Sequence, residues 1–100
     1  VTYGTTTTFD FDTFVNAVVT LTGNITTQTL SNVRAGKSGS ITFIQDGTGS
    51  RTSVFSTTFK FAGGTIPTLT TTANAIDILN YHCRTSTFCI ASLSKDVRNP

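Results

Sequence analysis

Thr8-Phe9-Asp10-Phe11-Asp12 and, just downstream, Phe14-Val15-Asn16-Ala17-Val18-Val19-Thr20-Leu21-Thr22 decide the fold class. Successive side chains of an extended chain face opposite sides of a sheet, so alternation of apolar and polar residues marks a strand with one buried face. In the first stretch Phe9 and Phe11 point to a core, Asp10 and Asp12 to water. In the second, Val15, Ala17, Val19 and Leu21 share one register and Asn16, Val18, Thr20 and Thr22 the other. Gly23-Asn24 then reads as a turn.

Outward from this pair, residues 25–30 form a short Thr-rich strand and residues 31–39 a loop carrying Gly36 and Gly39. Residues 40–45 resume alternation and run into Asp46-Gly47-Thr48-Gly49-Ser50, whose glycines suit a tight reversal. Residues 51–55 are expected to return antiparallel to 40–45 as a hairpin. Phe59-Lys60-Phe61 alternates again. Pro67 has no amide hydrogen, which bars 65–69 from the centre of a sheet. Residues 70–75 read as a loop, and 75–84 with 88–94 as a final hairpin across Thr85-Ser86-Thr87. The expectation is an all-β fold, a small antiparallel β-sandwich of jelly-roll-like form with about seven to nine short strands and no helix of two turns.

Composition agrees. The 100 residues include 23 threonines and eight phenylalanines but no Glu, Met or Trp. Thr and Phe suit pleated, half-buried surfaces, while straight-chain helix formers are scarce. The length fits one domain spanning residues 1–100, with 1–7 and 95–100 as flexible or interface-bound ends. No apolar run approaches the roughly 20 residues of a membrane-spanning helix. Val1-Thr2-Tyr3-Gly4 lacks the basic and apolar regions of a secretory signal, so a signal is expected to be absent or removed. The net charge is +2 with basic residues scattered singly, which argues against a nucleic-acid partner.

Residues with chemical potential are few. Cys83 and Cys89 face each other if the final turn has three residues; compartment usage favours free buried thiols, with a disulfide as the alternative. His82 points away from its neighbour Cys83, so the two cannot readily chelate one metal, and it reads as a partly exposed strand residue. Asp10 and Asp12, about 7 Å apart on one solvated face, do not flank a cleft as a glycosidase pair would. Asp46 is expected to accept hydrogen bonds from its own turn. No nucleophile elbow, phosphate loop or dinucleotide fingerprint occurs, so no catalytic, metal or cofactor residue is assigned.

One long pattern remains: Gly36-Lys37-Ser38-Gly39, then Gln45-Asp46-Gly47-Thr48-Gly49-Ser50-Arg51-Thr52, then Phe61-Ala62-Gly63-Gly64-Thr65-Ile66-Pro67-Thr68-Leu69-Thr70-Thr71-Thr72-Ala73-Asn74-Ala75-Ile76-Asp77. In this order the blocks resemble a β-rich domain of bacteriophage virion proteins, often placed at the C-terminal end of tail-fibre or related appendage proteins. The resemblance spans about residues 5 to 95. It implies a non-enzymatic virion structural protein, assembled in the host cytoplasm, that mediates assembly and host attachment. The alternative is a capsid decoration or head-fibre protein that stabilises the shell. Expected partners are the chain itself as a homotrimer, other virion proteins, and a host-surface glycan or protein. Candidate contact residues lie in two loops: Asp46, Thr48 and Ser50 in one, Arg84 and Ser86 in the other.

Overall fold

A computed structural model describes residues 1–98. Seven strands follow in order: β1 (Thr6–Asp10), β2 (Asn16–Leu21), β3 (Thr27–Ser31), β4 (Ser38–Gln45), β5 (Phe59–Phe61), β6 (Ile76–Thr85) and β7 (Phe88–Ser94), with a single 3-10 turn at Ala62–Gly64. They form two sheets, β1-β3 and β2-β4-β6-β7-β5. The architecture is all-β, a small two-sheet sandwich, as the alternation implies.

Pairing direction departs from a uniformly antiparallel plan. Only β4–β6 and β6–β7 run antiparallel, while β1–β3, β2–β4 and β5–β7 are parallel. The reason lies in the connections. Chain order alternates between sheets, β1 in the small one, β2 in the large one, β3 beside β1 and β4 beside β2. Each crossing reverses the chain, so a strand reaching its own sheet again after two reversals runs parallel to its predecessor. Parallel strands always need such a crossover; here the other sheet supplies it instead of a helix.

The hairpin expected between 40–45 and 51–55 does not form. Both edges of β4 are already paired, with β2 and β6. Residues 51–55 instead run as a crossing segment that touches strand-like pairing only at Ser53, bridged to Ile25. The final hairpin does form, but its turn is shorter than three residues. Thr85 pairs with Phe88 across Ser86-Thr87, and a bulge at Arg84 brings Cys83 back opposite Cys89.

The core lies between the sheets. Phe9, Phe11, Val19, Leu21, Ile41, Phe43 and Leu79 are buried in one cluster, each worth about 1.5–3 kcal/mol of hydrophobic transfer. Aromatic rings bridge the layers: Phe9 meets Phe43 edge-on at 6.3 Å, and Phe11 lies 4.9 Å from Tyr81. Ala17, Val19 and Leu21 are buried as their register requires, but Val15 is 66% exposed. It precedes β2, in the crossing from the small sheet. There its carbonyl accepts the Tyr81 hydroxyl at 3.2 Å and the Ser40 amide at 3.3 Å.

The ends are tied in. Thr6 and Thr7 belong to β1, and buried Thr7 donates its hydroxyl to the Gly4 carbonyl at 2.7 Å. The Val97 amide donates to Ile76 at 2.8 Å. Asn99 and Pro100 of the expected tail lie outside the described residues.

Candidate binding face

The two loops expected to make contacts lie at opposite ends of β6. Residues 46–50 follow β4 where it meets the start of β6, whereas Arg84 and Ser86 cap the other end. At roughly 3.4 Å per residue the ten-residue strand separates them by about 30 Å. Asp46, Thr48, Ser50, Arg84 and Ser86 therefore form no common site.

The 46–50 loop is built inward. Asp46 Oδ1 accepts the amides of Thr48 at 3.1 Å and Gly49 at 3.0 Å, and Oδ2 meets Arg51 Nη2 at 3.0 Å. These hydrogen bonds, that from Arg51 foremost, hold the Asp46 carboxyl below its ordinary 3.8. The Ser50 amide donates to Thr71 at 2.7 Å. Gly49, at φ +71, packs so closely that a Cβ would lie 2.7 Å from the Thr71 carbonyl oxygen. The loop thus braces residues 71–73.

Other polar groups are likewise committed. Asp10 Oδ1 accepts the Asp12 amide and the Asn32 side chain, and Asp12 pairs with Arg34 and Lys37. The hydrogen bond from Arg34 is the main reason the Asp12 carboxyl also sits low. Asp77, only 2% exposed, accepts the Thr70 and Asp96 amides. Burial pushes the Tyr81 phenol up. Among the described residues, no group of three or more His, Cys, Asp or Glu side chains is placed to hold a metal ion.

The cysteines are joined, S–S 2.09 Å, so the expected free buried thiols give way to a staple across β6 and β7. Both are fully buried. Their chain neighbours therefore face outward: His82 and Arg84 flank Cys83, Phe88 and Ile90 flank Cys89. Parallel pairing places Lys60 of β5 opposite Ile90, which in turn lies opposite His82. The result is a hollow of about 630 Å³ on the outer face of the large sheet, lined by Lys60, His82, Arg84, Phe88 and Ile90. Arg84 lies 4.7 Å and Lys60 5.8 Å from the Phe88 ring centroid. Of these residues, sequence reasoning picked out only Arg84 as a contact candidate. The others are far apart in sequence, and only the β5–β7 register brings Lys60 to them.

At the border of the hollow the outer face is divided by a polar row, Asn16, Ser40, Asn80 and Ser92, paired strand to strand, of which Asn80 and Ser92 line the hollow. On the far side come Val18, Thr42 and Ile78, then Thr20, Ile44 and Ile76. Val18 is 52% exposed and Ile44, Ile76 and Ile78 are half-buried.

The profile of one protein family, described as "Putative phage tail fibre C-terminal domain", matches residues 4–84. No curated protein matches the chain, and no solved structure does.

Proposed function

The chain belongs to the phage tail fibre C-terminal domain family, and from that premise we propose that it is a non-enzymatic fibre domain that self-associates as a homotrimer and presents its remaining surface to other virion proteins and to the host. The family makes it a structural component of the virion. It also favours the fibre over the capsid-decoration reading.

The observation that carries self-association is the apolar block on the outer face of the large sheet, where exposed Val18 sits beside half-buried Ile44, Ile76 and Ile78. A 100-residue β-domain leaves much apolar surface in water, and burying a sheet face against symmetry mates recovers roughly 25 cal/mol for each Å². Sedimentation of the purified chain at micromolar concentration tests this. A trimer that dissociates in Val18→Asp supports the proposal; a stable monomer, or a trimer indifferent to Val18→Asp and Ile78→Asp, overturns it. Immunogold labelling at the tail fibre, rather than over the capsid, is the expected location.

A further inference from the structure

We infer that the hollow over the Cys83–Cys89 staple is a binding site for an acidic saccharide, a pyranose ring carrying a carboxylate or phosphate. The inference deepens the host-facing role proposed above and rests on it.

Charge is the first ground. Arg34 and Lys37 pair with Asp12, Arg51 with Asp46 and Arg98 with Asp96. Among the described residues, Lys60, Arg84 and Lys95 have no carboxylate partner, and two of these three converge on one phenyl ring. No carboxylate lines the hollow. Lys60 Nζ donates to the Thr57 carbonyl, and an anion in the hollow would gain charge-assisted hydrogen bonds from its remaining N–H groups and from Arg84. Arg84 also offers a planar fork that matches carboxylate or phosphate through two parallel bonds.

The floor supplies the second ground. Ile90 is 52% exposed, an apolar step between Lys60 and His82 on the two flanking strands. The Phe88 ring lies within cation–π reach of both Lys60 and Arg84. A sugar ring has an apolar C–H face and a rim of hydroxyls, and the hollow has a counterpart for each: exposed Ile90 for the face, His82 and Asn80 for the rim. A peptide carboxylate alone would leave this mixture unused.

Preorganisation is the third. The staple fixes the spacing of β6 and β7 at the point where their outward neighbours form the site, and the bulge at Arg84 turns that side chain out of plain strand register. Stacking on Phe88 holds the guanidinium before a ligand arrives. Less ordering entropy then remains to be lost on binding.

The test is a glycan array probed with the purified 100-residue chain, carrying uronate-containing and phosphorylated oligosaccharides beside their neutral counterparts. Retention of an acidic member over its neutral counterpart, weakened about tenfold or more in Arg84→Gln and further in the double variant with Lys60→Gln, supports the site. Which acidic arm is retained identifies the anion. Equal retention of acidic and neutral members, no retention at all, or retention unchanged in the double variant overturns it. Both side chains are exposed, so unchanged circular dichroism and Tm in the variants exclude misfolding as the cause. A chain that trimerises and localises to the fibre yet ignores every acidic sugar overturns this inference and leaves the structural role standing.

Discussion

Gln45 grips the backbone of Arg51 from both sides: its Nε2 donates to the Arg51 carbonyl at 2.7 Å and its Oε1 accepts the Arg51 amide at 3.0 Å. A side-chain amide thereby makes the pair of bonds that a neighbouring strand would make. Nε2 also donates to Thr70 at 2.9 Å. With Gln45 only 3% exposed, these bonds substitute for the hairpin that the local sequence suggests.

Gln45→Leu keeps approximate volume but orphans the backbone groups of Arg51 and Thr70. At about 1–3 kcal/mol for each buried group left unpaired, a loss of roughly 3 kcal/mol is expected after partial re-solvation. Urea denaturation measures it; a change below about 0.5 kcal/mol would show that Gln45 is not the clasp described.

Gly39 lies where the first crossing passes over β4. A Cβ there would sit 1.9 Å from the Val15 carbonyl oxygen and 2.9 Å from the Tyr81 hydroxyl. Gly39→Ala must push the crossing outward and break the Tyr81–Val15 bond. Overpacking of this kind costs about 1–3 kcal/mol. Gly47 is the control: a Cβ added there would meet nothing within 4 Å, and Gly47→Ala should leave the denaturation midpoint nearly unchanged.

The staple closes a short loop, Cys83 and Cys89 being six residues apart. Chain-entropy estimates for such a loop give about 2 kcal/mol. Reduction should lower stability by that order, and Tm measured with and without a reductant checks it. Equal Tm in both states would mean the unfolded chain is not constrained by the bond.

Asp12 and Asp46 have folded pKa values below their ordinary 3.8, through hydrogen bonds from Arg34 and Arg51 respectively. A depressed folded value means the unfolded chain binds protons first as pH falls. The stability these carboxylates add is therefore full above about pH 5 and is lost as pH drops through their folded values. Asp46→Asn should be less stable than the parent near neutrality, with the difference shrinking towards about pH 2. Thermal melts across that range give the answer; a constant difference at all pH values contradicts the linkage.

Much of the core was legible because burial follows alternation. Phe9, Phe11, Ala17, Val19, Leu21 and the shared face of Leu79, Tyr81 and Cys83 are inside as the period of two requires. Asp46 accepting its own turn amides also follows from residue type and position. What could not be read is pairing between distant strands. Lys60 meets Ile90 only because β5 runs parallel to β7, and Gln45 is a clasp only because β2 and β6 have already taken both sides of β4. Such partners are chosen by how layers close over a shared core, and a local pattern carries no address for them. The outer-face hollow depends on that choice, which explains why Arg84 alone was found.

The position of β6 in the order of synthesis has its own outcome. It is the central strand of the large sheet and comes sixth in sequence among the seven described strands. β2 and β4 can meet before then, but the sheet they begin has no middle until residues 76–85 emerge, and its one local hairpin needs β7 as well. Fragments ending near residue 70 should therefore remain open to protease, and protection should arrive abruptly in fragments that reach residue 94. A virus making many copies would be exposed to premature entanglement of neighbouring chains during that interval, and the short, threonine-rich β1 and β3 keep it less hazardous.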